Sequence, residues 1–305
     1  MPADSAAAPQ HLFSVDVEEY FQVSAFENAI DPVSWDHLPS RVERSIDQLL
    51  ELLDRHHYLG TFFTVGWLTR SHGAMIRRIA DAGHEIGSHS YWHRRVTSQD
   101  SDEFRDEVRS SRAALEDVTG RAIYGFRAPS FSIRPGGEWA FDVLLEEGYR
   151  YDSSLFPIRR PDYGYPGAPA RPHLIQRPAG TLLEVPMATT RFAGIRLPAA
   201  GGGYLRQLPL RLIRRAFREH GAAQIPGMFY IHPWEIDPDQ PRLPVSWLTR
   251  VRHYRGLHRT LPRLEQLCRE FQFTSVERRF GLSSPASGRP AHSWDPQSIP
   301  LPAWQ

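Results

Sequence analysis

Two histidines stand four residues apart directly after a short apolar run. The segment His89-Ser90-Tyr91-Trp92-His93 follows HEIGS, and on one helical turn both imidazoles would point to the same side. Such a pair can bind a transition metal such as zinc. Because the chain has 14 histidines, a pair at this spacing also arises by chance. Spacing alone therefore leaves open both a metal site and an ordinary pair of histidines.

Carboxylates near the N-terminus would supply a harder ligand for such an ion. Asp16 and Glu18 lie two residues apart in SVDVEEYF, near the end of a β-prone run, so they project to the same side. One carboxylate would bind the metal, and the other would accept a proton from water. The alternative is a polar strand end. That alternative is weakened because Asp16 stands between Val15 and Val17, where an unpaired carboxylate would be costly to bury.

The elements that must position these side chains alternate between strand and helix. After the first apolar run, a helical stripe and then further strand and helix patterns follow at short intervals through residue 150. Repeated β-α units predict an α/β fold with a parallel sheet, and about seven of them predict a closed (β/α)7 barrel. A doubly wound open sheet is the alternative. In both architectures the chemistry belongs at the C-terminal ends of the strands.

Composition excludes several classes of function. All 36 basic residues are arginine, which excludes a Schiff-base lysine and a P-loop lysine. No G-x-S-x-G occurs, which disfavours a serine hydrolase, and a net charge of +1 gives no support for nucleic-acid binding. The single cysteine, Cys268, excludes an internal disulfide and a CxxC metal site.

The chain shows no sign of membrane insertion or secretion. No apolar run approaches the ~18 residues of a membrane-spanning helix, and the first residues lack the charged start and apolar stretch of a secretory signal. We therefore expect a cytoplasmic protein without a transmembrane segment.

Two segments have the composition of irregular structure. Residues 156–178 are rich in proline and predict an inserted loop close to the active site. Residues 283–305 have the composition of a flexible tail.

Five motifs occur in an order and at separations that match a known family. They are SVDVEEYF, HEIGSHSYWH, FRAPSF, YDSSL and FYIHPWEID. In these motifs, residues 11–240 resemble the polysaccharide deacetylases of carbohydrate esterase family 4, whose catalytic unit is the NodB homology domain. Residues 241–282 resemble the C-terminal region of deacetylases linked to exosortase and exopolysaccharide loci, and would pack on the barrel as an extension.

The resemblance implies a distorted (β/α)7 barrel with one divalent ion, zinc in the first place and cobalt, nickel or manganese as alternatives. Asp16 would be the general base. Many relatives read Asp-Asp at the first motif, whereas Val17 follows Asp16 here, so the carboxylate ligand shifts to Glu18 and Glu19 remains an alternative. The implied metal ligands are Glu18, His89 and His93.

The resemblance also implies supporting roles. Arg127 would hold Asp16, and its planar donors suit a bidentate contact. The backbone N–H of Ser130 would help to hold the oxyanion. His232 would protonate the leaving amine, and Asp152 would pair with His232 and raise its pKa.

Three aromatic residues are candidates for a sugar-binding groove, although they can equally be packing residues. They are Trp92, Tyr204 and Trp234.

The predicted function is metal-dependent removal of acetyl groups, most often N-acetyl groups of amino sugars, from a bacterial exopolysaccharide or its precursor. The substrate would be an acetylated polysaccharide or a lipid-linked oligosaccharide, and the protein would associate with a membrane-bound complex for polymer synthesis or export. Two alternatives remain open: a metal-independent amidohydrolase of allantoinase-like type acting on a small cyclic amide, and a non-catalytic carbohydrate-binding or scaffold protein.

Overall fold

The computed structural model of the chain describes residues 10–27 and 29–282 and the backbone of residues 303–304. Strands and helices alternate through the first half, as the periodicity predicts. In chain order they are β1 (His11–Val17), α1 (Val42–Arg55), β2 (Thr61–Thr64), α2 (Thr69–Asp81), β3 (Glu85–Ser88), α3 (Ser101–Thr119), β4 (Gly125–Phe126), α4 (Trp139–Glu146) and β5 (Tyr151–Asp152).

The second half adds two antiparallel hairpins and a helical C-terminal region. Its elements are β6 (His173–Arg177), β7 (Gly180–Glu184), β8 (Thr189–Phe192), β9 (Ile195–Pro198), α5 (Gly203–Gln207), α6 (Leu210–Ala222), β10 (Met228–Ile231), α7 (Trp247–Tyr254), α8 (Thr260–Glu270), β11 (Phe273–Thr274), α9 (Val276–Phe280) and β12 (Ala303–Trp304).

Seven of these strands form a barrel. They lie side by side in the order β10, β1, β2, β3, β4, β5 and β7, and every neighbouring pair is parallel. The ring closes beyond β7, where Met187 forms a parallel bridge with Met228 of β10 and the N–H of Ala188 donates to the carbonyl of Met228 at 3.1 Å. The predicted α/β fold with a distorted (β/α)7 barrel is confirmed.

A glycine run makes a second contact with β10 on the way to α5. Gly201 forms a parallel bridge with Tyr230 and has φ +119°, a conformation that side-chain-bearing residues rarely adopt. A Cβ at this position would overlap the carbonyl oxygen of Tyr230. The motif GGGY therefore allows the backbone to press against β10 close to the end that carries His232.

The helices cover the barrel with apolar stripes. The apolar stripe predicted for α1 is buried at four positions and half-buried at Leu50; the buried ones are Val42, Ile46, Leu49 and Leu53. The longest helix, α3, begins at a capping box between Asp100 and Glu103 and ends at Gly120 in the left-handed conformation. These helices fix the positions of the strand ends that carry the chemistry.

The proline-rich segment is only partly irregular. Residues 156–172 lack strands and helices, but the prediction of irregular structure as far as residue 178 is wrong, because His173–Arg177 forms β6 and pairs antiparallel with β7. Alternating burial along β6 is typical of a strand with one covered face.

The C-terminal region joins the sheet. β11 pairs in parallel with β1 in the register His11 to Phe273, and the N–H of Glu277 in α9 donates to Glu85 of β3. Residues 283–302 and 305 of the predicted flexible tail lie outside the described residues, while the backbone of β12 pairs with β6. Among the described helices, none combines the length and the apolar character needed to cross a membrane.

Candidate active site

A cavity of about 170 Å³ lies at the C-terminal ends of β1 and β10, where the fold class predicts the chemistry. Its wall combines carboxylates, imidazoles and aromatic rings. The lining residues are Asp16, Glu18, Val23, Ser24, His89, His93, Ser130, Phe131, Tyr163, Tyr230, His232 and Trp234.

Three carboxylates lie near the C-terminal end of β1, at Asp16, Glu18 and Glu19, and they face different surroundings. Asp16 and Glu18 line the cavity. Glu19 turns away, and its carboxylate accepts hydrogen bonds from the N–H groups of Arg41 at 3.0 Å and Val42 at 3.3 Å. These N–H groups belong to the N-terminus of α1, which an anion stabilises. Glu19 therefore caps a helix, and this geometry removes it as the alternative metal ligand.

Arg127 is fully buried and connects two strand ends. Its Nη1 donates to Oδ1 of Asp16 at 2.5 Å and to Oγ of Ser14 at 2.8 Å. The predicted bidentate contact with Asp16 is wrong, because Nε and Nη2 donate instead to the carbonyl and hydroxyl of Ser153. The guanidinium is thus held on three sides, and it fixes the orientation of the one carboxylate oxygen that it contacts.

The two histidines of the second motif lie in an irregular loop, so the prediction of a helical turn is wrong. Ser90 and His93 have φ of +65° and +55°, which no α-helix contains. The carboxylate of Glu107 in α3 accepts hydrogen bonds from the Ser90 hydroxyl at 2.5 Å and from the next two backbone N–H groups at 3.0 and 2.9 Å. This buried anchor brings the rings of His89 and His93 to a centroid distance of 5.1 Å.

The donor atoms of Glu18, His89 and His93 lie within 4.8 Å of one another. Nδ1 of His89 is 2.7 Å from the carbonyl oxygen of Arg127, which can only accept, so Nδ1 carries the proton and Nε2 keeps its lone pair. Burial lowers the pKa of His89 to about 4, which keeps the ring neutral. Burial would raise the pKa of Glu18, but nearby His93 lowers it to about 2. One carboxylate with two imidazoles suits zinc or a similar ion, so these residues fit the implied metal.

His232 is held by a carboxylate that sequence reasoning missed. Its Nδ1 lies 2.7 Å from Oε1 of Glu235, and the other carboxylate oxygen accepts from Nε of Arg206 at 2.6 Å. Burial would lower the pKa of His232, but the bond to Glu235 and the charges of Glu18 and Asp16 raise it to about 9. The fixed Nδ1 leaves Nε2 directed at the cavity carboxylates, 3.8 Å from Asp16.

The predicted pairing of Asp152 with His232 is wrong. Asp152 is buried in β5, where its oxygens accept from the hydroxyl of Ser154 at 2.5 Å and from its N–H at 3.0 Å. Its cross-strand neighbour is Glu184 of β7. Burial, followed by the charge of Asp152, raises the pKa of Glu184 well above its usual value. The two carboxyls are buried neighbours, and neither is among the carboxylates within ion-pair distance of His232, which in the described part of the chain are Asp16, Glu18 and Glu235.

Ser130 stands in the cavity wall in a left-handed conformation, with φ +55° and ψ +25°. Its hydroxyl donates to Oγ of Ser24 at 2.6 Å. The side chain is thus engaged with a neighbour in the wall, and a catalytic contribution from the main chain of Ser130 stays a prediction.

The three aromatic candidates lie in different places. Trp234 lines the cavity, donates from Nε1 to Oε1 of Glu18 at 2.9 Å and stacks on His232. Tyr204 lies outside the cavity wall, and its hydroxyl contacts that of Tyr163, a wall residue from the proline-rich segment. Trp92 is 37% exposed and borders a separate surface groove beside α3. Of the three candidates, Trp234 is the one whose side chain lines the cavity together with the predicted metal ligands.

Four residues that organise the site were not predicted. The H-x-x-E spacing of His232 and Glu235 in HPWEID is a local signal that could have revealed one of them. Arg206, Glu107 and Tyr163 reach the site only through the folded chain, so no local pattern marks them.

Two family models match the chain. Residues 33–136 match the family described as polysaccharide deacetylase, and residues 153–281 match a domain of unknown function, DUF3473. The deacetylase match covers about a third of the chain and includes His89, His93 and Ser130, whereas Asp16 and Glu18 precede it. The segment that carries Arg206, His232 and Glu235 belongs to the second match, so residues from both matched segments line one cavity.

Curated relatives match this chain over part of their length. A peptidoglycan deacetylase of Helicobacter pylori is 31% identical over 113 residues, which are 37% of this chain and 38% of that protein. The peptidoglycan-N-acetylmuramic acid deacetylase PdaA of Bacillus subtilis is 34% identical over 99 residues, 32% of this chain and 36% of that protein. The chain thus spans less than two fifths of each relative.

A solved structure from Mycobacterium smegmatis, assigned as a polysaccharide deacetylase, superposes with a TM-score of 0.59. Its sequence is 20% identical, and the match covers 88% of both chains. This likeness shows that the chain shares the fold of that structure.

Proposed function

We propose that this protein is a metal-dependent deacetylase that removes acetyl groups, chiefly N-acetyl groups of amino sugars, from a bacterial exopolysaccharide or its lipid-linked precursor. One observation carries the proposal: a base held by Arg127 and an acid held by Glu235 face one group of metal-ligand side chains. The names of the curated relatives support an acetylated glycan as the substrate. The choice of exopolysaccharide, and of a membrane-bound synthesis complex as partner, rests on the resemblance of the C-terminal region.

Glu18, His89 and His93 would hold the ion. A divalent cation bound there, zinc or alternatively cobalt, nickel or manganese, polarises the acetyl carbonyl and lowers the pKa of water. Trp234 keeps Glu18 in place by donating to Oε1, and the Arg127 carbonyl keeps His89 in the tautomer that presents Nε2.

Asp16 acts as the general base and takes a proton from the attacking water. Its contact with Arg127 keeps one oxygen occupied, so the second oxygen faces the cavity and His232. The N–H of Ser130 donates to the acetyl oxygen as negative charge develops on it.

His232 acts as the general acid and protonates the leaving nitrogen through Nε2. Glu235 keeps the proton on Nδ1 and fixes the plane of the ring, and Arg206 in turn fixes Glu235. The C–N bond then breaks, and acetate and a free amino sugar leave the cavity.

The two alternatives explain fewer of these contacts. A metal-independent amidohydrolase would have no use for the converging donors of Glu18, His89 and His93. A scaffold protein would have no use for a base and an acid that are each fixed by a buried partner.

The test combines metal content with acetate release from N-acetylglucosamine oligomers before and after chelation. We expect about one ion per chain, loss of that ion in His89→Ala/His93→Ala, and retention of the ion in Asp16→Asn with acetate release abolished. His37→Ala, at an exposed histidine, is the matched control and retains both metal and activity. A metal-free wild type that still hydrolyses its substrate after chelation would refute the proposal.

A further inference from the structure

The hairpin formed by β8 and β9 projects from the barrel wall between β7 and β10. Its base is buried at Thr189, Thr190 and Pro198, and the hydroxyl of Thr190 donates to Glu219 of α6 at 2.7 Å. Its turn consists of Ala193 and Gly194, which have φ of +48° and +79°, the signature of a tight two-residue hairpin turn. A fixed base and a tight turn make the exposed end a defined projection of the fold.

The end of the hairpin carries two large apolar side chains that are exposed to solvent. Phe192 and Ile195 are cross-strand partners and are 56% and 65% exposed. Cross-strand partners point to the same face of a hairpin, so the two side chains form one apolar tip. Single exposed apolar residues are ordinary on protein surfaces, but a pair concentrated on a projecting turn indicates a contact surface.

The opposite face of the same hairpin carries a pair of like charges. Arg191 and Arg196 are also cross-strand partners, an arrangement that is unfavourable unless an anion lies between or beside them. Arg196 donates from Nη1 to the carbonyl of Ala168 at 3.5 Å, and within residues 10–27 and 29–282 no carboxylate lies within ion-pair distance of either guanidinium. The arginine pair therefore has the charge to receive an anion from outside the described chain.

The shape of this end favours a lipid surface over a protein partner. A stable protein contact buries about 800 Å² on each side, far more than two side chains on a convex turn provide. Apolar side chains flanked by arginines match the boundary of an anionic bilayer, where acyl chains lie beside phosphates. The chain as a whole has a net charge of only +1, so such attraction would be local to the hairpin.

We propose that the β8–β9 hairpin is a membrane-interfacial anchor, which inserts Phe192 and Ile195 among the lipids and places Arg191 and Arg196 against anionic headgroup phosphates. This role is independent of the proposed deacetylase function. It would keep the protein on a bilayer surface through contacts of the hairpin alone.

Co-sedimentation with vesicles of phosphatidylglycerol and phosphatidylcholine tests the anchor on the full chain. Wild type binds, and Phe192→Ser/Ile195→Ser weakens binding at least about tenfold. Arg191→Gln/Arg196→Gln removes the preference for phosphatidylglycerol over pure phosphatidylcholine, and raised salt has the same effect on wild type. Val33→Ser is the matched control, because Val33 is 82% exposed at another site, and it leaves binding unchanged.

A site-specific probe separates insertion of the tip from binding elsewhere. The single cysteine, Cys268, is buried, so a polarity-sensitive fluorophore can be attached selectively to Phe192→Cys or, as control, to Val33→Cys. Anionic vesicles shift the emission of the probe at residue 192 to the blue and leave the probe at residue 33 unchanged. The proposal is overturned if wild type binds no vesicles. It is also overturned if sedimentation velocity shows that the chain self-associates through the tip. Loss of acetate release without loss of vesicle binding would contradict the proposed deacetylase function and leave the proposed anchor unaffected.

Discussion

Nε2 of His232 lies 3.8 Å from Oδ2 of Asp16. The two groups belong to adjacent strands, β10 and β1, and each is fixed from behind by a buried partner, Glu235 or Arg127. In the proposed mechanism one of them takes up a proton and the other releases one. Their proximity means that both face the same small volume of the cavity.

Glu235→Gln tests whether Glu235, and not Asp152, orients the proposed general acid His232. Loss of the carboxylate removes the anion that orients His232, and we expect kcat to fall by about 10–100-fold while KM stays nearly constant. Glu235→Asp should restore part of the rate, since a carboxylate remains. Steady-state kinetics measures both. A larger loss of kcat in Asp152→Asn than in Glu235→Gln would reinstate the sequence-based assignment.

Glu18→Gln and Glu19→Gln form a matched pair at neighbouring positions. We expect Glu18→Gln to lose the metal, because the charged ligand is gone. Glu19→Gln should retain the metal and lose about 1 kcal/mol of stability, because it weakens the cap of α1. Elemental analysis and denaturant unfolding measure the two effects. Equal metal loss in both variants would contradict the assignment of Glu18.

Arg127→Met leaves Asp16 buried beside an apolar side chain. Removing one partner of a buried ion pair costs about 3–5 kcal/mol, and we expect a loss of stability of that size in urea unfolding. The double variant Arg127→Met/Asp16→Asn should be more stable than Arg127→Met alone, because no unpaired charge remains. Strict additivity of the two single substitutions would show that the pair is not coupled.

Glu85→Gln tests a buried acid at the other end of the barrel. Burial raises the pKa of Glu85 from 4.5 to about 7, although Thr61, Tyr151 and the N–H of Glu277 all contact its oxygens. A raised pKa favours the protonated form in the folded state, so wild type loses about 3 kcal/mol of stability as the pH rises from about 4.5 to 7. Glutamine does not titrate, and its amide suits the same three partners. The stability of Glu85→Gln relative to wild type should therefore improve over this range, as urea unfolding at several pH values would measure. A constant difference would contradict the raised pKa.

Trp92→Ala addresses a substrate contact outside the cavity. Trp92 stands between the two histidine ligands in sequence but borders a surface groove, so a sugar stacked on it would be remote from the acetyl group. We expect a higher KM for long oligomers and an unchanged kcat on the shortest substrates. An equal effect on all chain lengths would assign Trp92 to packing alone.

The parts of the molecule that follow from local pattern were predictable. The alternation of strands and helices indicated the barrel, and a strand end marked Asp16 and Glu18, because side-chain period and strand burial are properties of a few neighbouring residues. His232 was assigned only through the resemblance to the deacetylase family. The conformation of the loop at His93 was not predictable, since it depends on a buried glutamate that lies 14 residues further along the chain. The partner of His232 was missed because Asp152 was assigned through the resemblance alone, and only the folded chain shows that Asp152 lies beside Glu184 and that Glu235 contacts His232.

The proposed chemistry is divided along the chain. The proposed base and metal ligands lie between residues 16 and 93, where His89 and His93 belong to the polysaccharide deacetylase match, whereas His232, Glu235 and Arg206 lie in the segment that matches DUF3473. In the proposed mechanism, binding of the acetylated sugar and protonation of its nitrogen therefore depend on different parts of the chain. A variant that loses only the carboxylate at residue 235 would bind its substrate as before and turn it over about 10–100 times more slowly, so it would behave mainly as a sugar receptor with residual hydrolysis.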